Sequence, residues 1–165
     1  MAVFYYYQNT SMPHINNYIN FTAETFLVYQ NKVLLRYHEK YDYWLSVGGH
    51  IEPNEDPNQA AIREVKEETG LDVALYDKLL PFKENNARYQ ELIPPYFMNI
   101  HKISDTHRHV TLVYFARAKN DKIIEPENEK SRGWKWMSKT ELEAASNLLP
   151  SIKFYALKAL AELGE

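Results

Sequence analysis

The segment GGHIEPNEDPNQAAIREVKEETGL, residues 48–71, is the feature that most limits what this chain of 165 residues can become. Two glycines lead into an acidic loop, and Glu55-Asp56-Pro57 then reads as a helix start, an acidic cap followed by proline in the first turn. Gly70 fits the matching stop. On a helical wheel drawn over 57–70, Ala61, Ile62, Val65 and Thr69 share one arc and face a sheet. Glu64, Glu67 and Glu68 fill the neighbouring arc, so their carboxylates gather at the rim of the packed face. Like charges at i,i+3 and i,i+4 cost roughly 0.2–0.5 kcal/mol per pair on an exposed helix, and partial burial raises that cost. Arg63 offsets part of it through an i,i+4 pair with Glu67. Two readings remain: a solvated acidic edge, or a cluster completed by a divalent cation. Oxygen donors without cysteine favour Mg2+, with Mn2+ as the second choice.

Composition narrows the rest. The chain has no cysteine, which removes disulfides, thiolate catalysis and thiolate metal sites. A net charge of −3 provides no field for binding a nucleic-acid polymer or an anionic membrane without specificity. Nowhere do about 18 apolar residues run together, so no membrane span is expected. The opening MAVFYYYQNTSMPHINNY lacks a basic region and an unbroken apolar stretch, and the expected location is cytoplasmic. The length suits a single domain over 1–165, with residues 1–20 as an aromatic N-terminal extension. Exposed apolar edges invite partners, so a homodimer formed through that extension is expected.

FTAETFLVYQ and KVLLRYHE, rich in β-branched and aromatic residues, read as a hairpin turning at Gln30-Asn31. Apolar runs follow the helix at 73–82 and at RHVTLVYFARA, 108–118, the second reading as a buried strand. The stretch between them, 83–107, reads as irregular, with Pro94-Pro95 and several histidines. A short strand then precedes Ser138-x-x-Glu141, a capping box. Pro150 opens a last amphipathic helix that buries Ile152, Tyr155, Ala156, Ala159, Leu160 and Leu163. Strands, a helix between strands and helices at the end imply an α/β fold with a mixed sheet packed between helices.

Gly49, Glu55, Arg63-Glu64-Val65, Glu67-Glu68 and Gly70-Leu71 stand at spacings that resemble the box of the Nudix (MutT-like) hydrolase family, G-x5-E-x7-R-E-U-x-E-E-x-G-U with U aliphatic. Every box position is filled. One flanking residue departs, since Val47 stands where many members carry proline. The resemblance implies a Nudix-type α/β/α sandwich with a mixed β-sheet between helices. It also implies Mg2+-dependent cleavage of the diphosphate linkage of a nucleoside diphosphate joined to another moiety, by water attack on phosphorus. The metal ligands it implies are Glu64, Glu67, Glu68 and the Gly48 carbonyl. Glu64 is the candidate base beside Glu68, and Arg63 holds a carboxylate in place through its planar fork. Glu55 ties the loop to the helix. Later in the chain Glu125, Glu127 and Glu129 offer an additional base or ligand, Glu127 and Glu129 being preferred.

For the substrate side the candidates are Trp44, Arg88, Tyr89 and His109, whose rings can stack on a base or whose charges can meet phosphate. Packing explains each of them as well. Tyr89, 18 residues past the box, resembles a mark of diadenosine-polyphosphate hydrolases within the family. The competing function is a nucleotide-sensing module without turnover. A charge cluster that costs stability argues against it, because a pure binder has little use for one. Isomerase chemistry on the same box would call for a cysteine, and the chain has none.

Overall fold

The computed structural model describes residues 18–38, 42–126 and 131–164. Most of the N-terminal extension, and with it the expected pairing surface, lies outside these residues, as do Glu127 and Glu129.

The described residues open with a hairpin of β1 (Ile19–Tyr29) and β2 (Lys32–His38). Gln30 and Asn31 turn it with φ of 44° and 57°, the left-handed pair that matches the twist of two antiparallel strands. β3 (Tyr43–Leu45) and β4 (Val47–His50) lead to α1 (Pro57–Thr69) and β5 (Val73–Leu75). A small ribbon of β6 (Asn85–Asn86) and β7 (Tyr89–Gln90) precedes β8 (Phe97–Lys102) and the long β9 (Arg108–Ala118). β10 (Trp134–Ser138), α2 (Lys139–Ala144) and α3 (Pro150–Leu163) close the described fold. Ser138 and Glu141 form the capping box of α2 in both directions.

The sheet has eight strands in the central order β10-β2-β1-β9-β5, with β3 beside β2, β4 beside β1 and β8 beside β9. β1 and β9 run parallel from Ile19 opposite Arg108 to Val28 opposite Arg117. Alternation along β1 sends side chains to two layers. Phe26 and Val28 join Val113, Phe115 and Met137 under α2 and α3. Leu27 joins Leu34, Val47 and Ala116 under Val65 of α1. Each fully buried aliphatic or phenyl side chain contributes about 1.5–3 kcal/mol. This is a mixed α/β sandwich, as the sequence predicts. No helix among the described residues is long and apolar enough to cross a membrane.

Three details differ from the sequence reading. Ile62 is 43% exposed and Ala60 takes its place in the packed face. Ala60 and Ala61 lie against Ala23 and Tyr114, so small side chains let α1 settle close to the sheet while Ile62 turns outward. The apolar run 73–82 pairs with β9 through Val73–Leu75 and one further bond, from the Tyr76 amide to the Phe115 carbonyl at 2.8 Å. Part of the stretch read as irregular is strand β8, paired with β9 from Phe97 opposite Val113 to Lys102 opposite Arg108. The prolines before it disguised a run in which half-buried and exposed positions alternate only at the start, ending exposed.

Candidate active site

The close seat of α1 brings its glutamate edge over the two glycines of β4. Gly48 lies opposite Glu24 of β1, and a Cβ there would approach the Glu24 Cα to 2.8 Å. A Cβ at Gly49 would meet a side chain instead, sitting 2.7 Å from Glu64 Oε2 and pushing that carboxylate aside. Both glycines therefore make room, one for a neighbouring strand and one for a carboxylate.

The loop and helix start are fixed by their own side chains. Asp56 caps α1 by accepting from the amides of Asn58 and Gln59 at 2.8 and 2.9 Å. The Asp56 amide in turn donates to the Gln59 side-chain oxygen at 2.9 Å. Gly70 ends the helix with φ of 71° and donates its amide to the Lys66 carbonyl.

Arg63 gathers the acidic groups. Its Nε and Nη2 donate to the two oxygens of Glu55 at 2.9 and 2.6 Å, a fork on a fork. Nη1 donates to Glu64 and to Glu67, each at 2.8 Å, and Nη2 also reaches the His50 carbonyl at 2.9 Å. Glu55 foremost, then Glu64 and Glu67, push the guanidinium pKa upward against the cost of burial. In return the Arg63 bond holds the Glu55 carboxyl below its ordinary value of 4.5. Glu68 is held separately. One of its oxygens accepts from Nη1 of Arg36 and the other from the Gly48 amide at 3.3 Å. The repulsion along the helix edge is thus met by two arginines, one on the helix and one on the sheet.

Residues 19–158 match the NUDIX domain. The chain belongs to the Nudix hydrolase family. It is similar to a crystal structure of a hydrolase of the NUDIX family from Clostridium perfringens, with 36% identity and a TM-score of 0.76 over 90% of this chain and 99% of that one. It is also similar to diphosphoinositol polyphosphate phosphohydrolase 3-alpha of Mus musculus, 42% identical over 60 residues, which are 36% of this chain and 37% of that protein. The match thus spans little more than a third of that relative's length. An Ap4A hydrolase of C. elegans shares the fold at 21% identity and a TM-score of 0.59, over 87% of this chain and 93% of that one.

The Nudix helix carries three carboxylates on one edge, oxygen donors of the kind that suit a hard divalent cation. Among the described residues no three acidic or imidazole groups converge tightly enough to hold a metal as they stand. The cause is visible in the ion pairs, because Glu64 and Glu67 lean to Arg63 and Glu68 to Arg36. Ligation would require the carboxylates to draw closer together while Arg63 keeps its hold on Glu64 and Glu67, and Glu67, with a side chain 58% exposed, has the most room to move.

The proposed substrate residues are scattered. Arg88 and Tyr89 belong to the small ribbon, which pairs with no strand of the main sheet. Both are exposed, and Tyr89 donates its hydroxyl to Glu91. Their loop is tied to the first turn of α1, where Asn58 bonds Ile93 twice, at 2.9 and 2.8 Å. His109 is buried beside His107, Nε2 to Nε2 at 3.1 Å. Its ring also lies 4.8 Å from that of His50 and 5.6 Å from that of His101. Trp44 is half-buried, edge-on to Tyr37 at 5.2 Å, and packs with the cluster under α3 rather than under the Nudix helix.

Arg36 was not among the residues singled out from the sequence. A signal was present: it alternates with Leu34 on β2, the face that Leu34 turns to α1. Trp134, with its ring centroid 5.7 Å from the Arg36 guanidinium, donates its indole N–H to Glu125. Glu125 also accepts from the Ser131 amide at 3.0 Å and its hydroxyl at 2.7 Å. Burial raises the Glu125 pKa, but the Ser131 and Trp134 bonds together with Arg36 bring the net value down. Glu125 is therefore a carboxylate from the later loop that lies within the electrostatic reach of the site. Glu24, by contrast, is raised by burial, offset in part by its bond from Ser46.

Proposed function

We propose that the chain is a Mg2+-dependent diphosphohydrolase that cleaves the diphosphate linkage of a nucleoside diphosphate joined to another moiety, with Mn2+ able to replace Mg2+. The observation that carries this reading is the Arg63 fork. One guanidinium links Glu55, Glu64, Glu67 and the His50 carbonyl, so loop and helix are locked with carboxylates along one edge. Such an edge destabilises a bare helix and is retained where cations are to be bound.

Glu64, Glu67, Glu68 and the Gly48 carbonyl would hold the metal. Bound there, Mg2+ supplies charge neutralisation of the diphosphate and orients a water for in-line attack. Glu64, which lies against Gly49, would accept a proton from the attacking water. Arg63 is a positioning residue that sets the rotamers of Glu64 and Glu67. Diphosphoinositol polyphosphates, named for the mouse relative, carry the same phosphoanhydride and belong in the substrate panel beside nucleoside triphosphates, nucleotide sugars, ADP-ribose and dinucleoside polyphosphates.

Phosphate release from that panel with Mg2+ is the test. Turnover of at least one phosphoanhydride is expected, falling about 10²-fold or more in Glu64→Gln and Glu68→Gln while the far-UV spectrum is unchanged. Tight binding of a nucleotide with no turnover of any panel member would replace the enzyme with a sensing module.

A further inference from the structure

β1, β9 and β8 lie side by side, and their registers put Phe21 opposite Val110 and Val110 opposite Ile100. Ala23, Leu112 and Met98 form the next row. Side chains directly opposite across a ladder share one face of the sheet. This is the face that α1 covers, since Ala23 and Leu112 pack with Ala60 and Ala61. The helix begins at Pro57, and the sheet continues past it. What remains is an open groove lined by Ile19, Phe21, Ile51, Pro57, Met98 and Leu112. On this face Ile19, Phe21, Met98 and Ile100 are between 39% and 61% exposed.

β8 also ends the sheet beside the first half of β9. Among the described residues its outer edge pairs with no strand. An uncovered edge presents N–H and C=O groups that match those of another strand. The devices that blunt such an edge are missing from its middle: no proline falls within Phe97–Lys102, and its one lysine stands at the end. An apolar groove beside an unpaired edge suits an occupant that brings both a strand and an apolar face. A second copy of this chain brings both, because a two-fold axis sets identical strands antiparallel. A lone peptide strand would satisfy the edge and leave most of the groove open.

We propose that the chain forms a homodimer through β8, the sheets of two copies joining across a two-fold axis that passes through Asn99. An axis normal to the sheet keeps each face on its own side. Met98 then meets Ile100 of the partner subunit, and Asn99 meets the partner's Asn99. An axis through Ile100 would instead set Met98 against the partner's Lys102. The two grooves become one apolar floor. Four half-exposed apolar side chains amount to roughly 400 Å2 per copy, within the range of patches that are often functional on a monomer. Two such patches and two strand edges come to about 1,200 Å2, the lower bound of a stable specific interface. This inference moves the pairing surface from the N-terminal extension, where the sequence suggested it, to the sheet. It is independent of the diphosphohydrolase reading, since it is measured as assembly and not as turnover.

Light scattering and sedimentation of the full chain at micromolar concentration test it, and a dimer is expected. Ile100→Lys and Met98→Lys should each weaken self-association about 100-fold or more, with the far-UV spectrum unchanged. The chain has no cysteine, so one introduced thiol reports one contact. Asn99→Cys should form a disulfide-linked dimer on mild oxidation, because positions directly opposite have Cβ atoms about 4.5–5.5 Å apart. Lys122→Cys, at an exposed position outside the groove, should not. A monomeric parent overturns the proposal, whatever else covers the groove. So does a dimer that persists in both lysine variants, or an Asn99→Cys chain that cross-links no faster than Lys122→Cys. If the lysine variants fail to fold, the two cysteine variants decide.

Discussion

At the level of single residues, Arg63 shows why a guanidinium and not an ammonium stands in the middle of the glutamates. Its planar fork meets Glu55 with two parallel bonds while the remaining nitrogen serves Glu64 and Glu67. Lysine offers a point charge that cannot meet all of these at once. Arg63→Lys is expected to lower kcat by roughly 10–100-fold, the usual effect of losing a group that orients metal ligands. The expected loss of stability is about 2 kcal/mol by urea unfolding, less than for a fully buried pair because a quarter of the side chain is exposed. Glu55 sets the acid limit of this network. Its folded pKa lies below the ordinary 4.5, so the stability it contributes is fully present above 4.5 and disappears as pH falls through the folded value. The urea midpoint of the parent protein should therefore drop below about pH 4.5, and Glu55→Gln, less stable at neutral pH, should show a shallower drop. The carboxylates and Arg63 were legible in the sequence because residue type and spacing alone carry their chemistry. Arg36 was not, since strand alternation gives the face it occupies but not that Glu68, 32 residues onward, comes to rest over it.

At the level of elements, the Nudix helix shows where local signals suffice. Its cap, its proline and its stop glycine are all in the sequence, and α1 runs between them. Asp56→Ala removes the acceptor of two amides and should cost about 1 kcal/mol in urea unfolding. The first turn, where the Asn58 tie to the ribbon loop sits, should lose protection from hydrogen exchange first. The hairpin and β9 were equally legible, because dense β-branched and aromatic runs have few alternatives. Ile62 and β8 were not. Wheel geometry gives the width of an apolar arc but not its rotation by a fraction of a turn, and here the fit of Ala60 and Ala61 against Tyr114 set that rotation. β8 carries a half-buried asparagine and ends on exposed histidine and lysine, so its pairing with β9 is imposed by the neighbouring strand rather than announced by composition.

For the whole molecule, stability resides in apolar clusters on both sides of the sheet, and the carboxylates already have arginine partners. Chelation should leave the far-UV spectrum unchanged. Saturating Mn2+ at about 100 times its dissociation constant should contribute about 2.7 kcal/mol, a rise in melting temperature of roughly 5–10 °C by calorimetry. The parallel seam between β1 and β9 bears on how this molecule is made. Thr22 and Thr111, joined across it by their hydroxyls at 2.7 Å, are 89 positions apart. A ribosome therefore delivers the first strand and the glutamate helix well before their common neighbour exists. Closing so long a loop is entropically slow and is repaid only once the strand between them arrives. A nascent chain released before Arg108 would have the β4 glycines and Arg36 for its acidic edge, but not the strand that β1 pairs with from Ile19 to Val28.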